Sequence, residues 1–460
     1  VMLILLLSEA GVPLYLMFGT RKLPKAARAR GVPIPLPVDA GEPSGPRALP
    51  GVGRGEAAAT PPAERVSTGA ERDAVPGWIV RLTAAMDLPP ARAHEGLNLH
   101  EDGAQARAAL EAVIDSARVR LDVCTFILGR DRFGDELLAR LAAKARAGVE
   151  VNLLVDGMGT WMGGRHHFAG AQAAGVRVTQ FAPPFRAPWR WPLRGRTNLR
   201  NHRKLVVADA EWLWCGGRNL AGEYFEGTPT QAPWLDLSFD LRGDIVAEAA
   251  AVFEADWRFA LAPGREGLRG ARAEPWPRGP VRAPAAQMLP SGPDYPDDTV
   301  HTLLLTSCYR ARSRILAVTP YLVPDESLLS ALSLAARRGV EVDLVVPQAS
   351  NHRLADIARH RPMRELAGAG ARLWLSPSML HAKAIVFDDH MAMAGSVNLD
   401  SRSLFLNYEL MMGFYSAPEI ARFAAWIDGV RARSKRYVPG RPSLGRSIGE
   451  GLVLWLAFQL

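Results

Sequence analysis

The period of the apolar positions changes several times along this chain, and the changes mark its organisation. Val1 to Gly19 is nearly continuous apolar sequence, interrupted by Glu9 and Pro13 and followed by Arg21, Lys22, Lys25, Arg28 and Arg30. The run is just long enough to cross a bilayer, and the basic flank places the rest of the chain in the cytoplasm. A secretory signal would carry its positive charges ahead of the apolar run, where there are none. Residues 24–77 then lose all periodicity. Of these 54 residues 29 are Pro, Gly or Ala, the composition of a flexible linker. Order resumes near Trp78: Leu110, Val113, Ile114 and Ala117 recur at a helical period, and Val119 to Phe126 alternates as a strand does.

The same pattern is written twice. Ser116–Asp156 and Arg310–Pro347 each read strand, short loop, amphipathic helix, Gly, strand, and Gly148-Val-Glu-Val-Asn-Leu-Leu154 matches Gly339-Val-Glu-Val-Asp-Leu-Val345. Units of this length form strand–helix–strand crossovers on a sheet covered by helices on both faces. The predicted fold class is therefore α/β, with two similar halves. The segments are 1–19 as a transmembrane segment, 20–77 as linker, 78–270 and 271–445 as two domains, and 446–460 as an apolar tail. Leu452–Leu460 is too short to span a membrane; it either buries in a core or lies at a membrane interface.

Composition narrows the partners. A net charge of +8 favours an anionic one: nucleic acid, a phospholipid surface or a phosphorylated substrate. Only six of the 55 basic residues are Lys, so each Lys is worth locating. The three cysteines, Cys124, Cys215 and Cys308, are widely spaced in apolar contexts, as buried reduced thiols are. From Pro183 to Lys204 there are seven basic residues and no acidic ones, with Trp189 and Trp191 beside Arg190. Indoles at headgroup depth and Arg on lipid phosphates would make this an interfacial loop. His166-His167 reads as a solvated loop rather than a metal site.

Downstream of each repeat stands His-x-Lys-x4-Asp-x6-Gly-x-x-Asn, without a gap. The first copy has His202, Lys204, Asp209, Gly216 and Asn219; the second has His381, Lys383, Asp388, Gly395 and Asn398. Two of the six lysines fall on the Lys positions. Residues two apart project from one face of a strand, so a pseudo-twofold brings two His–Lys pairs together across a phosphate-sized gap. A neutral imidazole can then attack phosphorus while a protonated one opposite donates to the departing oxygen. Lys204, Lys383, Asn219, Asn398 and the Ser396 hydroxyl suit the remaining phosphate oxygens. Asp209 and Asp388 complete the catalytic motif, although a salt bridge or turn cap holding the strand suits them better than phosphate chemistry. Glu223, Asp400 and Arg402 serve either the site or structural pairs around it. No clustered metal-ligand set is present, so chemistry without a metal or other cofactor is expected.

These residues resemble the phospholipase D superfamily with duplicated HKD motifs, and within it the bacterial cardiolipin synthases. The likeness extends over nearly the whole chain, through Phe18-Gly-Thr-Arg-Lys22, Asn198-Leu-Arg-Asn-His-Arg-Lys204 and Gly216-Gly-Arg-Asn-Leu-Ala-Gly-Glu-Tyr224. It continues in Thr319-Pro-Tyr-Leu-Val-Pro-Asp-Glu326, Gly395-Ser-Val-Asn-Leu-Asp-Ser-Arg-Ser403 and Asn407-Tyr-Glu409. The resemblance implies two α/β/α sandwich domains with pseudo-twofold symmetry and ping-pong transfer through a phosphohistidine. It implies His202 as nucleophile, His381 as general acid and then base, and a carboxylate orienting each His, for which Asp236 and Glu409 are the candidates. One departure is Gly217, where the second half has Ser396. The implied reaction joins two phosphatidylglycerol molecules into cardiolipin and glycerol at the cytoplasmic side of a bacterial inner membrane, with anionic phospholipid as partner. A hydrolase differs only in its acceptor. An HKD nuclease is disfavoured by the apolar start, the Trp-bearing loop and the apolar tail, so no nucleic acid partner is expected.

Overall fold

A computed structural model describes residues 75–163, 168–182, 199–228, 231–261, 284–440, 442, 443, 450 and 453. The expected transmembrane segment, nearly all of the linker, His166-His167 and positions 183–198 of the basic loop lie outside the described residues, as does the junction around 270. Among the described residues no helix is long and apolar enough to cross a membrane.

Two mixed sheets carry the same strand order. From edge to edge, the first runs Glu95–His100, Ser238–Arg242, Trp212–Gly216, Leu205–Ala208, Arg120–Thr125, Glu150–Asp156, Arg177–Phe181. The second runs Ala285–Ser291, Glu409–Phe414, Met391–Gly395, Ala384–Phe387, Arg314–Val318, Glu341–Pro347, Arg372–Ser376, with Arg92–Ala93 and Lys435–Arg436 added at its two edges. The repeat read from the sequence is the parallel part of each sheet. Arg120–Thr125 pairs parallel with Glu150–Asp156 across the helix Arg132–Arg146, and Arg314–Val318 pairs parallel with Glu341–Pro347 across Glu326–Arg337. Each of these helices starts on an Asp cap, Asp131 or Asp325, whose carboxylate accepts from a backbone N–H of the first turn. The motif strands Leu205–Ala208 and Ala384–Phe387 lie antiparallel beside them, fourth of seven in the common order.

The chain does not part at Trp78. The helix Gly77–Ala85 packs Ile79 with Leu303, Leu304 and Cys308 of the second half, and Arg92–Ala93 pairs with Ala285–Ala286. Residues 77–93 thus complete the second domain before the chain enters the first at Glu95. Local periodicity announces a helix here but does not say which core receives it. A shared core joins the halves: Leu205, Val207, Phe239 and Phe253 cluster with Ala384, Val386, Phe414 and Phe423. Of the tail, Glu450 pairs with Arg364, and Val453 packs against Val323 and Ala358.

Asp209 and Asp388 end the two motif strands, with φ of 52° and 50°, a left-handed conformation that Asp tolerates better than most residues. Asp209 accepts the N–H groups of Arg118, Val119 and Arg120; Asp388 accepts those of Arg312, Ser313 and Arg314 and the Ser313 hydroxyl. Each carboxylate clasps the start of the neighbouring strand, about 20 Å along the chain from its histidine. Grouped with the catalytic residues in the motif, they are turn clasps that register the strand.

Candidate active site

The histidines are set by bridges between the halves. His202 N–H donates to Tyr408 O at 2.8 Å, and His381 N–H to Leu235 O at 2.7 Å. Each acceptor immediately precedes a carboxylate, so each His is aligned with the acid of the opposite half. His202 Nδ1 lies 3.0 Å from both Glu409 oxygens, and His381 Nδ1 lies 2.7 Å from Asp236 Oδ2. Asp236 and Glu409 are the candidates that the family resemblance implies; that each faces the histidine of the opposite half is not part of that reading.

Both carboxylates are ionised. Burial alone would raise Glu409, but His202, Lys204 and the Ser396 hydroxyl outweigh it and hold the pKa below the ordinary Glu value. At Asp236 burial is outweighed in the same way by His381, Lys383 and Arg218. An ionised carboxylate only accepts, so each imidazole carries its hydrogen on Nδ1 and presents Nε2. Burial drives His202 down to about 4 and His381 down to about 3, with Lys383 adding to burial at His381. Both rings are therefore held neutral around neutral pH.

The two pairs differ in detail. Lys383 Nζ stands 2.8 and 2.9 Å from the two ring nitrogens of His381. Each lysine also donates to the carbonyl of its own histidine, Lys383 to His381 O and Lys204 to His202 O at 2.6 Å, but Lys204 Nζ faces the Phe126 ring rather than the imidazole nitrogens. Nε2 of His202 makes no hydrogen bond among the described residues, and the His202 side chain is 12% exposed against 5% for His381. Burial lowers Lys204 to about 8 and Lys383 to about 7. The charged forms are the ones that can neutralise a phosphate, and they are lost as pH rises. The kcat/KM for a soluble short-chain phosphodiester lipid is therefore expected to fall above about pH 7–8. A profile level up to the ordinary lysine range would show that both ammonium groups stay charged.

The other expected phosphate ligands are partly engaged by the protein. Ser396 Oγ donates to Glu409 Oε2 at 2.5 Å and accepts from Leu410 N–H, so it acts on the carboxylate rather than on phosphate. Its counterpart Gly217 has no room for a side chain: a Cβ there would stand 2.3 Å from Asp236 Oδ1. The halves thus differ as a pair, with Ser and the longer Glu on one side and Gly and the shorter Asp on the other. Asn219 donates to Tyr224 Oη at 2.7 Å and accepts from Ile127 N–H. Asn398 Oδ1 is buried with no hydrogen bond among the described residues.

Several site residues escaped the sequence reading. Tyr224 and Trp234 pack on His381 with ring centroids 5.0 and 5.6 Å away, and Phe126 packs on His202 at 5.2 Å. Asn407 donates to Glu409 Oε1 at 3.1 Å. Arg203, between His202 and Lys204 and so of opposite strand parity, donates to Glu409 O, Ser291 O and Asp256, tying the halves together behind the site. Its signal was a buried-strand position holding Arg where the second motif has Ala382.

Comparison with known proteins agrees with this duplicated layout. A family model described as "Cardiolipin synthase, PLD-like domain" matches residues 110–257 and 304–431, one stretch in each half. Cardiolipin synthase A of Pseudomonas putida (strain W619) is 33% identical over 334 residues, 72% of this chain and 68% of the relative. Cardiolipin synthase A of Pseudomonas fluorescens (strain SBW25) is likewise 33% identical over 334 residues, with the same coverage of both chains. Among solved structures, the phosphatidylserine synthase of Haemophilus influenzae Rd KW20 matches with a TM-score of 0.64 at 13% identity, covering 83% of this chain and 99% of its own, a likeness of fold. With two intact His–Lys pairs in this setting, the chain belongs to the cardiolipin synthase family of PLD-like proteins and is a phosphatidyltransferase.

Proposed function

We propose that the protein joins two phosphatidylglycerol molecules into cardiolipin and glycerol through a phosphohistidine. The observation that carries this reading is the crossed arrangement of two neutral imidazoles, each backed by an ionised carboxylate and accompanied by a lysine. His202 Nε2, free of hydrogen bonds among the described residues, attacks phosphorus. The bond from phosphorus to the headgroup oxygen breaks, and His381 Nε2–H protonates the departing glycerol. The phosphodiester anion favours that charged imidazole, and Lys383 beside Nε2 is placed to supply the proton. In the second step neutral His381 takes the hydroxyl proton of the second lipid's glycerol. The alkoxide oxygen displaces His202 from phosphorus, His381 passes the proton it has taken back to Lys383, and both rings return to their neutral starting state.

Anionic phospholipid is then both donor and acceptor, and the place of action is a membrane surface facing the cytoplasm. Labelled phosphatidylglycerol in mixed micelles, with and without EDTA, tests the reading on the full chain. Cardiolipin and glycerol are expected in equal amounts. Phosphatidic acid without cardiolipin would make the protein a hydrolase instead.

A further inference from the structure

Ten large apolar side chains are exposed among the described residues, and four of them sit on two helices of six residues each. Trp161 and Met162, 52% and 59% exposed, end the helix Gly157–Met162; Leu354 and Ile357, 46% and 40% exposed, lie on Arg353–Ala358. The helices occupy equivalent places in the two halves. Each follows the strand second from the end of the common order, Glu150–Asp156 or Glu341–Pro347.

The first helix adjoins segments that frame His202, and the second adjoins Tyr321, which is near enough to act electrostatically on Tyr224, the ring packed on His381. Gly159 lies so close to Phe126 that a Cβ on it would stand 1.7 Å from Phe126 O, and Phe126 packs on His202. Asp156, which caps the same helix, also accepts the N–H of Asn201 next to His202. In the second half Tyr321 Oη donates to Asn351 Oδ1 at 2.6 Å, and the Tyr321 ring meets His352, the cap of Arg353–Ala358. Arg130, whose N–H donates to Gly163 O just past Met162, Arg353 at the start of the second helix and Arg361 shortly after it are all exposed.

We propose that these two helices form a membrane-docking rim, with Trp161, Met162, Leu354 and Ile357 entering the interface of an anionic phospholipid bilayer on either side of the histidine pair. This rests on the reading of the site as one that draws lipid from a membrane. A phosphodiester deep between two domains is reached by a lipid only if the bilayer surface comes against both. Apolar side chains at matching places in both halves, with an exposed Arg beside each, suit one continuous anionic surface. A protein partner would have no reason to follow the pseudo-twofold.

The three native cysteines are buried, so an introduced one can be labelled selectively. Met162→Cys, Ile357→Cys and, as reference, Leu334→Cys on the outer helix Glu326–Arg337 would each carry an environment-sensitive dye in the full chain. With phosphatidylglycerol vesicles the dyes at 162 and 357 are expected to shift to the blue and to be quenched by a lipid-borne quencher, and the dye at 334 to do neither. In parallel, Trp161→Ser/Met162→Ser is expected to lower the ratio of turnover on vesicles to turnover of monomeric short-chain lipid roughly 10- to 100-fold. Dyes that stay in water at 162 and 357, or quenching equal at 334, would overturn the rim even if cardiolipin is made. Docked dyes without cardiolipin would leave the rim standing and remove the proposed reaction.

Discussion

His202→Ala and His381→Ala are each expected to reduce cardiolipin formation by roughly 10⁴- to 10⁶-fold. Neither loss should reflect unfolding: Glu409 retains Ser396 and Asn407 as donors without His202, and Asp236 retains the N–H of Leu237 without His381. The two variants separate when the leaving group needs no proton. With a p-nitrophenyl phosphodiester of the donor lipid, departure is easy without an acid. His381→Ala should then release a burst of p-nitrophenol and accumulate an acid-labile phosphoenzyme, because its base for the second step is missing. His202→Ala should give neither burst nor phosphoenzyme. The opposite pattern would exchange the roles of the two histidines, and a burst in both would remove the covalent intermediate.

The reacting groups could be read from the chain because their spacing is local. His-x-Lys on a strand, then Asp at the turn and Gly-x-x-Asn after the next strand, is fixed by residues adjacent in sequence, and duplication repeats it. What could not be read depends on contacts between distant segments. The alignment of His202 with Glu409 follows from Asn201 bridging Tyr408, 207 residues on, and nothing near either residue encodes it. Ser396 was expected at phosphate because it is a hydroxyl beside the motif Asn; its side chain turns instead to Glu409, two strands meeting where Gly395 allows close approach. The same limit hides the allegiance of Gly77–Ala85, whose apolar positions fit any core but meet Leu303 and Cys308. Arg203 was passed over because alternation turns it away from His202 and Lys204, into the seam between halves.

Glu409→Gln and Asp236→Asn are expected to cost roughly 10²- to 10⁴-fold in turnover, and the crossing decides how each one fails. An amide can donate to Nδ1, which moves the ring hydrogen to Nε2 and removes the lone pair that attacks phosphorus. Glu409→Gln should therefore behave as His202→Ala does: no burst from the p-nitrophenyl donor and no phosphoenzyme. Asp236→Asn weakens the imidazolium of His381, so the burst should persist while cardiolipin formation falls, as in His381→Ala. If carboxylates served the histidine of their own half, the two phenotypes would be exchanged, since Glu409 would then support His381. The experiment reads tertiary pairing from kinetics, and it does so with side chains whose volume is unchanged. Glu409→Gln is the milder test of folding, because Ser396 can still donate to the amide oxygen while Asn407 turns to water or substrate. Loss of the burst in that variant with thermal unfolding unaltered would place the Glu409 effect at the His202 tautomer rather than in the fold.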